Sequence, residues 1–577
     1  MKIGVRRVAV ARSLQIDGGD AGSSPRILKR ELVSPEAGAA DNFPELDCVR
    51  SLIIADVPAA AERRRSVDRV LIAAGANMSE QLKSTWPKLS AATLHSLTHA
   101  IPLLLGILAF ATLFTTPGTV LFSIIVVLPT AFRVWAVVLS AAASANPQPC
   151  RPIPAALDED FPLYTVIAPL RGEAGVVDQL LTAIERLDYP AEKLDVIVAI
   201  EADDPDTRAA ITARKHRIPI TVILVPAAEP RTKPKALNVA LPFARGTFTV
   251  VYDAEDRPER NQLRRALKAF RSAGNDLACV QARLCTDTKT SWLARYFTAE
   301  YAGHFDIFLP GLAALGLPLP LGGSSNHFRT AALREVGGWD AYNVTEDADL
   351  GMRFARFGYR SGVIDSTTFE EAPAGVCHWF GQRTRWFKGW MQTWLVHMRE
   401  PRQLFRKLGP GGFLTFQLIV GGNALVALAH PVFMAGLVYE LIALISRGYD
   451  AAIGVRIAVC LVTAALGYCV SATLGWLGLA HRGVRKKFRI LFWTPVHWLL
   501  LSFAAWRAAC QIIIAPHFWK KTEHGLDKTS RHESTIRSLI ELERHLTELE
   551  RSGQLPPIWG DARDGAATPR RHPRAVA

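Results

Sequence analysis

The chain has 577 residues, 49% of them hydrophobic and 21% charged, with a formal net charge of +14 and a mean hydropathy of +0.14. So apolar a composition beside so many charges argues against one uniform soluble globule and for soluble and membrane segments in one polypeptide. The eight cysteines form no CxxC pair and no His/Cys metal spacing, which argues against a disulfide framework or a zinc site. The positive balance suits anionic partners such as nucleotide phosphates or an acidic membrane face.

In chain order, residues 1–95 are polar and punctuated by Gly, Pro and Ser, the composition of a largely disordered region. The opening MKIGVRRVAVARSLQIDGGD lacks the apolar run of a cleaved signal peptide. Two apolar stretches follow, IPLLLGILAFATLF (101–114) and VLFSIIVVLPTAFRVWAVVLSAAA (120–143), joined by TTPGT. With their flanks each supplies roughly the 17–25 residues that cross a bilayer, which predicts a transmembrane hairpin over 97–143 with Arg133 as a charge inside it.

From 155 to 400 the pattern changes. LYTVIAPL (163–170), LDVIVAI (194–200), ITVILV (220–225) and TFTVVYD (247–253) alternate with helical stretches such as EAGVVDQLLTAIERL. This predicts a parallel α/β sheet that binds its ligand at the strand C-terminal ends. After 410 the chain is apolar again, and membrane or interface helices are expected over 411–516. The loop HRGVRKKFR and the flanking Arg399, Arg402, Arg406 and Lys407 place the α/β domain on the cytoplasmic side. Two spans before the domain and three after it would strand residues 517–530 outside. One of two interrupted runs, 412–446 (Gly421-Gly422, His430-Pro431) or 490–516 (Pro495, Arg507), is therefore expected to break into two short segments.

Each strand ends in polar chemistry: Arg171 and Glu173 in PLRGE, Glu201 and Asp203 in AIEADDPDT, and Asp253, Glu255 and Asp256 in YDAEDRPE, with Lys233 in RTKPKALNVAL. An acidic cluster at one end of a sheet repels itself unless a cation joins it, and with Mg²⁺ or Mn²⁺ it becomes a holder for a diphosphate. In VTEDADLGMRFARFGYRSGV (344–363), Glu346 and Asp347 suit the positive end of a helix, and Arg353, Arg356 and Gly358 suit its close. Helix grammar alone explains that stretch, so the rest of the chain must decide.

Asp253-Ala-Glu-Asp256, Thr345-Glu346-Asp347 and Gln382-Arg383-Thr384-Arg385-Trp386, in that order and between apolar runs, resemble the processive family 2 glycosyltransferases, the cellulose, chitin, hyaluronan and poly-N-acetylglucosamine synthases. GLPLPLGGSSNHFRTAALREVGGWD (316–340) is similar to the segment preceding the second motif in bacterial cellulose-synthase-like enzymes that make exopolysaccharide or β-glucan. The resemblance covers about 100–525. It implies a GT-A α/β domain flanked by transmembrane helices in a bacterial inner membrane, with the catalytic domain cytoplasmic. It further implies inverting transfer of a hexose, glucose first, from a UDP-sugar to a growing polysaccharide, with Mg²⁺ or Mn²⁺ as cofactor. The implied partners are the UDP-sugar donor, the polysaccharide acceptor, the bilayer and accessory secretion proteins. Nucleic acid is not expected, since the positive charge lies mostly in tails and juxtamembrane loops. The alternatives are a non-processive transferase to a lipid carrier, and a membrane scaffold or transporter with an inactive nucleotide-binding domain.

By the same resemblance Asp347 is the general base, with Glu346 beside it. Asp253 is a metal ligand, joined by Glu255 or, through a shifted loop, by Asp256; the usual pattern in the family is Asp-x-Asp, which this chain does not keep. Arg171, Glu173, Glu201, Asp203 and Lys233 match contacts to uracil, ribose and phosphate, and Gln382, Arg385 and Trp386 would hold acceptor and pyrophosphate. HFWKKTEHGLDK (517–528) is similar to gating loops, which would give Trp519 and Thr522 that role across 517–530; a basic juxtamembrane anchor reads equally well. Residues 531–577 read as a charged helix and a disordered tail.

Overall fold

The computed structural model describes residues 80–94, 115–144 and 160–517, with 215, 287–290 and 374 excepted. The described residues all belong to one compact unit, Asp68–Ala577. The apolar stretch 101–114 and the positions Trp519 and Thr522 lie outside the described residues.

The strands are β1 (Tyr164–Leu170), β2 (Leu194–Glu201), β3 (Ile220–Val225), β4 (Phe248–Val251), β5 (Arg257–Pro258), β6 (Leu277–Thr286), β7 (Asn326–Arg329) and β8 (Arg360–Glu370). The helices used below are α1 (Thr116–Ser144), α2 (Val177–Glu185), α3 (Lys233–Ala240), α4 (Gln262–Ser272), α5 (Trp292–Ala302), α6 (Glu346–Arg356) and α7 (Val376–His397). Three more follow: α8 (Pro401–Arg447), α9 (Ala451–His481) and α10 (Thr494–Ile514).

One eight-stranded sheet runs in the order β3-β2-β1-β4-β7-β6-β8-β5. Strands β1 to β4 pair in parallel, as the strand–helix alternation predicts. Beyond β4 the sheet is mixed, which corrects the all-parallel expectation: β7 pairs antiparallel with β4 and β6, and β5 with β8. The cause is the connection from β6 to β7. A parallel neighbour needs a crossover helix laid on the sheet, whereas α5 packs against α9 instead. The short β7 then enters the sheet in reverse.

Every residue of β2 is buried, as is all of β1 except Pro169. Such Val/Ile-rich runs are what a strand covered on both faces requires. Helix α2 buries Val177, Leu180, Leu181 and Ile184, the i, i+3, i+4, i+7 face of an amphipathic helix. Helix α4 does the same with Leu263, Ala266, Leu267 and Phe270, and the Phe270 ring stacks 4.6 Å from Phe248 of β4. This packing fixes the strand ends, and with them the loops that build the site.

Among the described residues four helical segments are long and apolar enough to cross a membrane: Thr116–Ala141, Pro401–Arg447, Ala451–His481 and Phe488–Ile514. Helix α8 bends where Gly409 takes φ +68° ahead of Pro410, a conformation glycine adopts without strain. It then continues to Arg447 through a π-turn at Gln417–Gly421, without a break at Gly421-Gly422 or His430-Pro431. Helix α9 returns to the domain and crosses α5 where a Cβ at Gly478 would run into the backbone of Ala302 and Gly303.

Helix α10 behaves differently. At its start Tyr296 Oη of α5 donates to Thr494 Oγ1 at 3.1 Å, and the Tyr296 and His497 rings stack at 4.0 Å. Beyond its end Gln392 Nε2 of α7 donates to the Pro516 carbonyl at 2.9 Å, and His517 Nδ1 lies 3.3 Å from the Tyr342 carbonyl. Both ends of α10 therefore rest on the α/β domain, and the helix lies along α7. Neither interrupted run is broken: the helix is continuous over Gly422–Arg447 and over Thr494–Ile514, and residue 517 lies against the domain.

Candidate active site

The ends of β1, β2 and β4, the first turns of α3 and α6, and one face of α7 enclose a cavity of about 440 Å³. Arg171 and Glu173 follow β1 into it, Glu201 ends β2, and Lys233 opens α3. Asp253 and Glu255 reach it from the loop after β4, and Glu346 and Asp347 from the first turn of α6. Gln382, Arg385 and Trp386 of α7 line the opposite side. The three motifs that lie far apart in sequence thus share one space.

Two positions depart from expectation. Asp203 does not line the cavity; its carboxylate pairs with Arg231 Nη1 at 2.6 Å with the side chain 44% exposed, and it is Arg231 that faces inward. The chain turns outward directly after β2, which carries Asp203 past the rim. Asp256 does not line the cavity either. It is 1% exposed and points into the loop, accepting from the Asp253 backbone N–H at 2.6 Å and from Ser324 Oγ. It staples the turn that presents Asp253 and Glu255.

The seat of α6 against α7 is tight. A Cβ at Gly389 would collide with the Thr345 side chain, so only glycine lets α7 approach the motif this closely. Val344 N–H donates to Gln392 Oε1 at 3.1 Å, and Asn343 Nδ2 to Thr393 Oγ1 at 2.9 Å. Arg353, fully buried, donates to Asp349 at 2.8 Å and to the carbonyls of Val336 and Gly338. Arg353 is therefore an internal brace, and helix-dipole grammar understates its role.

The electrostatics favour protons and cations. Burial, reinforced by Asp347 and opposed by Lys233, lifts Glu346 to about 7. Burial also raises Asp347 above the usual carboxylate range. At the end of β8, Glu370 is pushed well up by burial and by the carboxylates of Asp256, Glu255 and Asp253. Burial works against the charge on Lys233, but Asp253, Glu346 and Asp347 outweigh it and hold the ammonium above its ordinary value. Lys233 forms an ion pair with Asp253. Among the described residues no three His, Cys, Asp or Glu converge to hold a metal by themselves. Asp253 and Glu255 nonetheless fit Mg²⁺ or Mn²⁺, because such ions take one or two carboxylates and complete their shell with substrate phosphates and water.

Trp386 is held as a platform. The Arg383 guanidinium lies 4.4 Å over its ring and is itself held by Glu300 at 2.9 Å, while Tyr301 stacks at 6.2 Å and 22°. Burial opposes the charge on Glu300, yet Arg383 outweighs it and keeps the carboxyl below its ordinary range. Arg231, Glu300, Glu370 and Arg383 all line the cavity, and none was singled out from the sequence for the site. Glu370 carried a usable signal, an acid at a strand end. Arg383 sits inside the Gln-x-x-Arg-Trp run, but Glu300 lies mid-helix and gave none.

Residues 165–325 match the family model for "Glycosyl transferase family 2", and residues 248–515 the model for "Glycosyl transferase family group 2". The chain is 24% identical over 290 residues to a probable glycosyltransferase, YdaM, of Bacillus subtilis, covering 49% of this chain and 68% of that protein. It is 24% identical to a beta-monoglucosyldiacylglycerol synthase of Synechocystis (45% of this chain, 55% of that one). It is 25% identical to a probable glucomannan 4-beta-mannosyltransferase of Arabidopsis thaliana (43% and 45%). The match thus spans about half the length of the last two. Among solved structures, a mannosyltransferase of Pyrobaculum calidifontis in complex with GDP-Man and Mn²⁺ aligns at TM-score 0.46 and 22% identity, over 68% of this chain and 99% of that one. The two glycosyltransferase models together span residues 165–515, and the α/β domain formed there, with apolar helices beside it, has the GT-A fold.

Proposed function

We propose that the chain is a membrane-set inverting hexosyltransferase that moves glucose from UDP-glucose to the end of a growing β-glucan or related exopolysaccharide. The observation that carries the reading is one cavity shared by Asp253 and Glu255, by Glu346 and Asp347, and by Gln382, Arg385 and Trp386, bordered by residues of α1, α8, α9 and α10. Arg171, Glu173 and Glu201 hold the nucleoside at the ends of β1 and β2. Lys233 and Arg385 meet the diphosphate, and Asp253 and Glu255 would hold the divalent ion. That ion, when bound, offsets charge on the leaving diphosphate.

Trp386 stacks against the acceptor sugar while Gln382 bonds its hydroxyls. The Asp347 carboxylate takes the proton from the attacking hydroxyl, and the new bond forms on the face opposite the departing diphosphate. Glu346, lifted by burial and by Asp347, stands beside that base. The domain lies on the cytoplasmic face of a bacterial inner membrane, accessory proteins serve export, and residues 517–530, with Trp519 and Thr522, serve as the gating loop.

A lipid acceptor is the second reading. Ala427, Leu474 and Leu501 give part of the cavity an apolar border, and the Synechocystis relative is a diacylglycerol-glucoside synthase by name. The test supplies radiolabelled UDP-glucose and UDP-N-acetylglucosamine in turn to membranes holding the full chain, with Mg²⁺ or Mn²⁺. Label in a polymer cleaved by linkage-specific glucanases supports the first reading, label in the organic phase supports the second, and no incorporation rejects both.

A further inference from the structure

Arg133 is the charge that the sequence leaves unexplained inside an apolar helix. In the structure it lines the end of the cavity that borders the apolar helices, where Asn423 of α8, Ser471 of α9 and His304 also line it. Its guanidinium donates to Asn423 Oδ1 and lies 5.8 Å over the Phe308 ring. Among the described residues no carboxylate forms an ion pair with it. The carboxylate that influences it, Glu300, is engaged by both terminal nitrogens of Arg383.

A cation in apolar surroundings is costly unless something neutralises it, and an ionisable group inside a membrane segment marks a site whose partner must be found. Arginine offers five donors in a planar fork that matches an oxyanion pair, and one bond to Asn423 leaves most of that fork unused. Besides Glu300, which Arg383 engages, the surroundings supply hydroxyl-binding groups: the Asn423 amide, Ser471, the His304 ring and the Trp498 indole. That mixture of amide, hydroxyl and aromatic face suits a saccharide bearing a negative substituent better than an alkyl chain.

We propose that Arg133 reads a carboxylate on the acceptor saccharide, so that the preferred acceptor is an acidic glycan rather than a neutral one. The inference rests on the transferase reading and narrows it: a chain made only of glucose carries no carboxylate, so the acceptor is the related exopolysaccharide, one with uronate units, rather than a plain β-glucan. Arg133 acts at the sugar chain behind the reacting end and touches neither donor nor base.

The test is an equilibrium one, without donor. Full-length protein in phosphatidylcholine nanodiscs is titrated with cellotetraose and with the same oligosaccharide oxidised to uronate at its C6 positions. The wild-type chain is expected to bind the carboxylated form about tenfold more tightly, the scale of one hydrogen bond to a charged group. Arg133→Gln brings the ratio to about one, and Arg133→Lys, which keeps the charge but loses the fork, leaves it near threefold by the same reasoning. Because each ratio comes from a single sample, partial unfolding does not imitate the result. A wild-type ratio of one, or a ratio that survives Arg133→Gln, overturns the proposal. So does a preference that vanishes when phosphatidylglycerol is added to the discs, which would make a lipid headgroup the occupant. Selective binding without transfer from any UDP-sugar would sink the transferase reading alone; transfer without selectivity would sink the proposal alone.

Discussion

The half of the site built on β1 to β4 and the half built on α5, α6 and α7 are held in place differently. In the first, Arg171, Glu201 and Asp253 stand at or just past the ends of parallel strands whose register is locked by buried neighbours. In the second, Asp347 and Trp386 come from helices whose relative placement depends on Gly389, Gln392 and the Arg383–Glu300 pair. Strand ends are positioned by a fold-wide rule, whereas helix faces are positioned by individual contacts. The donor half should therefore tolerate substitution next to its functional groups, and the acceptor half should not.

The most severe test of that contrast is Asp347→Asn. Loss of the base is expected to lower the transfer rate about 10²–10⁴-fold, with equilibrium UDP-sugar binding largely kept, both read on the same purified protein. Next comes Gly389→Ala. The added methyl meets a β-branched side chain that has little room to turn, so stability falls by about 1–3 kcal/mol and activity falls with it. Thermal denaturation in detergent would show the first, and an unchanged midpoint would mean that α7 is not seated on Thr345.

A third test separates two aspartates that the sequence sets at strand ends, Asp253 for the metal and Asp203 for the nucleotide. Asp253→Asn should cost most of the transfer activity and weaken its dependence on Mn²⁺, while Asp203→Asn, which breaks an exposed pair with Arg231, should change either by no more than about twofold, the scale of a surface salt bridge. Equal losses would return Asp203 to the site.

The smallest expected effect is a pH slope. An unfolded glutamate titrates near ~4.3, whereas Glu346 holds its proton to about 7 in the folded chain. Between those values the folded state binds the extra proton, so stability falls as pH rises through that window. Glu346→Gln removes that contribution and should flatten the fall in melting temperature between pH 5 and 7, conditions chosen to bracket that glutamate titration.

The same contrast accounts for what could be read in advance. The strands, their order of chemistry and the positions of Asp253 and Lys233 follow from alternation and from ligands gathering at strand ends. Spacing favours Glu255 over Asp256 as the partner of Asp253, but only the fold shows that Asp256 turns inward to Ser324. Asp203 lies two residues past Glu201, and no local signal marks where the chain leaves the rim. Glu300 and His497 sit on helical faces that become part of the cavity only when α5, α7 and α10 pack together. Arg133 was legible as a charge out of place, but its cavity was not. The mixed half of the sheet escaped notice because the chain between β6 and β7 looks like any crossover until α5 is seen to pack on α9.

The account stands or falls on a single displacement at one anomeric carbon, with Asp347 on one side and the diphosphate on the other. The direct measurement is the anomeric configuration of the bond formed from an α-linked UDP-sugar, read by proton NMR on a product isolated after brief reaction. A β-linkage is the predicted result, and an α-linkage would contradict the arrangement of base and leaving group described for this cavity.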